Sequence, residues 1–245
     1  MQKKKRKRFL AQHPMCCFCG GATPATTVDH VPARAFFIDR RFPPGLEFPA
    51  CLRCQNCTTD SEDVTRIVMS LNATSFNPAM LATVISNWDA FTRGMIQRKP
   101  KFIELGASVA GNPLVGVGTD VQDKIIENQR KVALALYYRI TGKVLKSTQR
   151  MSFTFASPLD GEMVAQHLQF LDRAPADNWA SSARYSDQFR YRYRVFEKDA
   201  HGFVMYLATW IHGSVSFVLF LDGPQYATGR LGKILRAPIG VELTA

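Results

Sequence analysis

The spacing of apolar and polar positions changes twice along the chain and divides it into three stretches. Residues 1–14 open with six consecutive charges, Lys3 to Arg8, which repel one another and have nothing to pack against; a disordered basic arm is expected. Residues 15–57 are rich in Gly, Pro and Cys, with short apolar runs and no helical period. A helix should follow directly, because Thr59-x-x-Glu62 matches a capping box and Val64, Ile67, Val68 and Leu71 recur at helical spacing.

From about residue 75 the texture is different. Residues 78–99 read as an amphipathic helix ended by Pro100, and 107–118 as a Gly-rich strand or loop. A second long helix is expected over 120–140, stopped at Gly142. The last third reads as strand. Residues 151–156 alternate in part, and Phe189, Tyr191, Tyr193 and Val195 alternate strictly with Arg190, Arg192 and Arg194. The apolar run 203–221 is interrupted by His212-Gly213-Ser214 and is rich in β-branched and aromatic residues. It therefore fits two strands and a turn better than a membrane span. The expected fold class is α+β: a small module over 15–75, then an α+β domain over 76–245 with two long helices and an antiparallel sheet.

Charge adds a partner to this picture. The chain carries a formal +11, and residues 1–57 hold ten Lys and Arg against Asp29, Asp39 and Glu47. An excess concentrated in so short a segment suits a polyanion, nucleic acid being the usual one, although it can also serve solubility alone. The Arg190, Arg192 and Arg194 row has the same two readings, a surface for a nucleic-acid backbone or a solvated face that protects an edge strand.

All six cysteines fall in the basic segment. The basic run at Lys3–Arg8 is followed only by Phe9-Leu10-Ala11 before Gln12-His13-Pro14, so a secretory leader is not expected and a cytoplasmic location is. In that setting, paired Cys-x-x-Cys spacings favour metal over disulfides. Cys16-x-x-Cys19 and Cys51-x-x-Cys54 form two knuckles that together make a tetrahedral four-cysteine site, the closed arrangement of a structural Zn2+. Cys17 and Cys57 are expected to be bystanders. A redox thiol pair, without zinc, is the competing reading.

Between the knuckles lies Thr26-Thr27-Val28-Asp29-His30-Val31-Pro32. Phosphodiester hydrolysis needs a base to activate water and positive charge to stabilise the phosphorane and the leaving oxygen. A neutral imidazole suits the first task, and a carboxylate holding Mg2+ or Mn2+ the second. Adjacent residues on a straight strand point to opposite faces, so both could serve one site only at a strand end or bulge.

The ordered set Cys-x-x-Cys-Gly, Asp-His-Val-Pro and Gly45-Leu46-Glu47-Phe48-Pro49-Ala50-Cys51-x-x-Cys54 resembles the HNH, or His-Me finger, endonucleases with a four-cysteine zinc, over roughly residues 15–65. The resemblance implies a treble-clef-like ββα-metal module that cuts nucleic acid, most simply DNA. It makes His30 the general base and Asp29 a ligand of the catalytic Mg2+ or Mn2+. A second ligand, usually Asn or His, would follow the last zinc cysteine; here that residue is Gln55, with Asn56 next and Glu62 and Asp63 further on. Arg34, Arg40 and Arg41 stand where such a module meets a phosphate backbone, or are simply solvated. The alternative function is a non-catalytic zinc module that binds nucleic acid or protein. Over 76–245 there is no phosphate loop, nucleophile elbow or dinucleotide fingerprint to suggest a second active site.

Overall fold

The computed structural model describes residues 3–37, 42, 44–74, 102–109, 112–117, 119–145, 150–156, 179–181, 189–195, 204–210, 215–221 and 241–244. Helix α1 spans Lys3–Gln12, where the sequence predicts disorder. Lys and Arg are good helix formers, and three contacts hold the segment. Arg6 donates to the Thr26 carbonyl at 2.8 Å, Phe9 packs on the His13 ring, and His13 Nδ1 meets the Tyr138 hydroxyl at 2.7 Å. Anchored at these points, the helix leaves its six basic residues exposed.

Strands β1 (Thr27–His30) and β2 (Glu47–Ala50) pair antiparallel, with Asp29 opposite Phe48 and His30 opposite Glu47. A 3-10 turn at Arg34–Phe36 lies in the connection. The short helix α2 (Leu52–Cys57) starts inside the second knuckle and is followed by α3 (Thr59–Thr74). The hydroxyl bonded to Glu62 belongs to Thr58, one residue before the predicted capping position.

Strands β3 (Phe102–Val109) and β4 (Asn112–Val117) make a hairpin where a strand or loop is expected. Helix α4 (Thr119–Thr141) closely matches the predicted second long helix and ends at Gly142, whose φ of +67° suits a residue without Cβ. The helix expected over 78–99 lies outside the described residues. Strands β5 (Arg150–Ala156), β6 (Trp179–Ser181), β7 (Phe189–Val195), β8 (Val204–Trp210), β9 (Val215–Leu221) and β10 (Val241–Thr244) form one antiparallel sheet in the order β10-β5-β9-β8-β7-β6. The architecture is thus mixed helix and strand, consistent with α+β. Strand β7 pairs on both sides, so its arginine row does not protect an edge. No helix among the described residues is long and apolar enough to cross a membrane.

One hydrophobic cluster joins the N-terminal segment to the sheet. It contains Val31, Phe36, Phe37, Leu46, Phe48 and Met69, the α4 run Val132–Tyr137, and Met151, Phe189, Tyr191, Val218 and Phe220 from three strands. Helix α4 also packs on α3 through Val64, Val68, Val121 and Ile125. At its far end, Arg139 donates to the Tyr191 hydroxyl at 2.9 Å and to the Gly45 carbonyl, fastening the turn before β2 to both helix and sheet.

Candidate functional site

The two knuckles converge. The Sγ atoms of Cys16, Cys19, Cys51 and Cys54 all lie within 4.8 Å of one another, and these four thiols could hold a metal ion such as zinc. The turns that bring them together are local. The Phe18 amide points at Cys16 Sγ and the Cys54 amide at Cys51 Sγ, both at 3.4 Å. Gly20 and Gly21 adopt φ of +65° and +74°, which lets the first knuckle reverse without strain. The knuckle then docks on β2, since Cys17 N–H donates to the Pro49 carbonyl at 3.0 Å and Thr26 N–H to that of Ala50 at 2.9 Å. Cys17 faces the core, where burial pushes its thiol pKa up, and Cys57 is exposed on α2. Neither belongs to the four-thiol group, and among the described residues no other set of three or more His, Cys, Asp or Glu is gathered to hold a metal.

Asp29 and His30 are neighbours in sequence with different surroundings, as the strand period requires. Asp29 is buried. Its Oδ1 accepts from the His30 amide at 2.9 Å, and its Oδ2 lies 2.6 Å from the Lys131 ammonium. Lys131 comes from the middle of α4 and is only 4% exposed. Its Nζ also donates to Glu62 Oε1 at 2.5 Å and to Thr58 Oγ1 at 2.7 Å, and sits 5.6 Å from the centre of the Phe18 ring. Burial works against the charge on this lysine, but the Asp29 and Glu62 carboxylates outweigh it and hold the pKa above the ordinary value.

His30 is half-buried at the end of β1. Its Nε2 lies 2.7 Å from an Arg34 guanidinium nitrogen, and since arginine only donates, this ring nitrogen is the acceptor and carries no proton. Glu47 Oε1 is 3.9 Å away across the strand pair, and Phe42 meets the ring edge-on. Burial, then Arg34, lowers the His30 pKa below its usual value. The imidazole is therefore neutral at pH 7.

These distances decide what each group can bind. The thiol set suits zinc in donor type, number and spacing. The surroundings of Asp29 do not fit Mg2+ or Mn2+ as they stand. An ammonium already lies against the carboxylate, and ligands of such ions must present oxygen lone pairs rather than N–H. Among the described residues, Asp29's polar partners are Lys131 and the His30 amide, with neither Gln55 (half-buried) nor Asn56 (exposed) among them. Of the acids that follow the knuckle, Glu62 does join Asp29, through Lys131. Arg34 is exposed beside His30, while Arg40 and Arg41 lie outside the described residues. Lys131 and Thr58 escape a reading of the sequence. The only trace of Lys131 is a charge immediately before the six consecutive buried residues 132–137. No family model, curated protein or solved structure matches this chain.

Proposed function

We propose that the chain is an HNH-type endonuclease, in which a zinc-stapled, treble-clef-like ββα-metal module hydrolyses phosphodiester bonds of nucleic acid, DNA foremost, with His30 as general base. Zinc on Cys16, Cys19, Cys51 and Cys54 is structural in this reading, because four thiolates close its coordination sphere. The observation that carries the proposal is His30 itself. It sits at the strand end between the two knuckles, part-exposed, with an unprotonated Nε2 held against the exposed Arg34.

Hydrolysis needs a base and a concentration of positive charge at the phosphorane. Neutral His30 supplies the base. The Arg34 guanidinium, a rigid fork of donors that matches phosphate geometry, supplies the charge. When a phosphate oxygen takes over that guanidinium, Nε2 is freed to accept a proton from water. The water oxygen bonds to phosphorus, the ester P–O bond breaks, and the leaving oxygen takes its proton from solvent. Helix α1 supports the choice of substrate: its six exposed basic residues are tied to the start of β1 through Arg6, on the strand that carries His30.

Supercoiled plasmid incubated with the protein in Mg2+, in Mn2+ and in chelator too weak to strip zinc tests this. Wild type nicks the plasmid and His30→Ala does not; nicking that survives His30→Ala overturns the mechanism. A second reading, a zinc module that binds nucleic acid without cutting it, is favoured by the ion pair that occupies Asp29. It predicts salt-sensitive DNA binding, with a log-log slope of about 0.9 per phosphate engaged, and no product from either protein.

A further inference from the structure

Beneath His30 lies a cluster that the hydrolytic scheme does not use. Three oxygens, Asp29 Oδ2, Glu62 Oε1 and Thr58 Oγ1, converge on one point at 2.6, 2.5 and 2.7 Å, and the Lys131 ammonium occupies it. Two carboxylates and a hydroxyl around a common centre are a hard-cation donor set. Here the cation is covalently part of the chain. We infer that Lys131 is a built-in substitute for a divalent metal at Asp29 and Glu62, so that the native chain binds no Mg2+ or Mn2+ there and gains a site for one when the ammonium is removed.

The argument is one of charge and anchorage. A buried, ionised carboxylate pair without a counter-charge is strongly unfavourable, so a cation between Asp29 and Glu62 is what keeps both ionised. Lys131 is supplied from α4 with its stem buried and with Val132, Ala133, Leu134, Ala135, Leu136 and Tyr137 packed immediately after it. An ion in solution would have to displace this ammonium and leave it buried and unpaired. With the ammonium gone, the same oxygens need move only about 0.5 Å inward to reach the roughly 2.1 Å typical of Mg2+, with water completing the octahedron. The inference stands on this geometry alone and holds whether or not the module cleaves nucleic acid.

The test is a titration of zinc-loaded protein with Mn2+, read by calorimetry and by melting temperature. Wild type is expected to show no Asp29-dependent binding. Lys131→Met, which keeps the length of the stem, is expected to bind one Mn2+ and to melt several degrees higher when saturated with it. Lys131→Met combined with Asp29→Asn should lose both effects. If Lys131→Met folds only with Mn2+ present, that also supports the inference. If it folds under neither condition, the decision falls to Lys131→Met/Glu62→Gln, which removes one stranded carboxylate and is expected to recover folding. Failure of that double variant to fold overturns the inference. So does stoichiometric Mn2+ binding by wild type that Asp29→Asn abolishes, or a folded Lys131→Met that ignores Mn2+. Plasmid cleavage is measured in parallel, so loss of the nuclease reading and loss of the cation-substitute reading give different results.

Discussion

Two clusters of ligand-type side chains lie close to the β1–β2 pair, and they are built in opposite ways. The thiol cluster takes four soft donors from two short turns, each closed by its own backbone amides, and presents them to an ion from outside. The carboxylate cluster takes hard donors from β1, α3 and the residue before α3, and receives its positive charge from a helix far along the chain. The first is a local design whose energy would come from the ion it could hold. The second is a tertiary design whose energy comes from packing α4 so that one lysine arrives at one point. The two should therefore fail differently when damaged.

The largest effect is expected at the thiols. Structural zinc contributes on the order of 10 kcal/mol to such folds, so Cys51→Ser or exhaustive chelation should unfold residues 15–57, seen as loss of near-ultraviolet dichroism; Cys57→Ser, on an exposed residue, should change nothing. Lys131→Met without added metal should cost about 3–5 kcal/mol in a denaturant melt, the usual penalty for stranding one side of a buried ion pair. Next come the activities. His30→Ala should lower plasmid cleavage by roughly 10²- to 10⁴-fold, the span of general-base contributions, while leaving both clusters and the melting curve intact. Replacing Lys3, Lys4 and Lys5 by Gln should weaken DNA binding without touching the chemistry. Its salt dependence should flatten by up to about 0.9 for each phosphate that the variant no longer neutralises.

The smallest effect is on pH. With the His30 pKa lowered by burial and by Arg34, the acid limb of cleavage should lie below the usual histidine value of 6.5, with activity level above it. Arg34→Ala removes the largest of the charge effects that lower that pKa. It should move that acid limb up towards 6.5, as a pH series of kcat/KM on both proteins would reveal.

The thiol cluster was legible in the sequence because its geometry is set by spacing. Two residues between cysteines and a glycine after the pair are read directly from the chain. Strands β5, β7, β8 and β9 and helix α4 were legible from their own residue patterns, whereas the short β6 and β10 were not expected. Lys131 was not, because nothing local distinguishes a lysine that ends between two carboxylates from one that reaches solvent. The helical α1 was missed for a related reason. Repulsion among Lys3–Arg8 is visible in sequence, whereas the contacts of Arg6 with Thr26 and of His13 with Tyr138 exist only after folding. The Asp29-His30 pair sits between these cases. Its position was legible, but the division of labour, one side chain turned inward to Lys131 and the other outward to Arg34, depended on the strand and on what packs against it.

The hydrophobic cluster shared by β1, β2, α4 and the sheet also bears on how the chain can be handled. Residues 15–75 are not a cassette. Cut free, they would expose Phe36, Phe37, Phe48 and Met69 to water and leave Asp29 facing Glu62 with no ammonium between them. Transplanting the His30 segment onto another protein therefore means carrying α4 and the sheet with it, or first redesigning the face they cover.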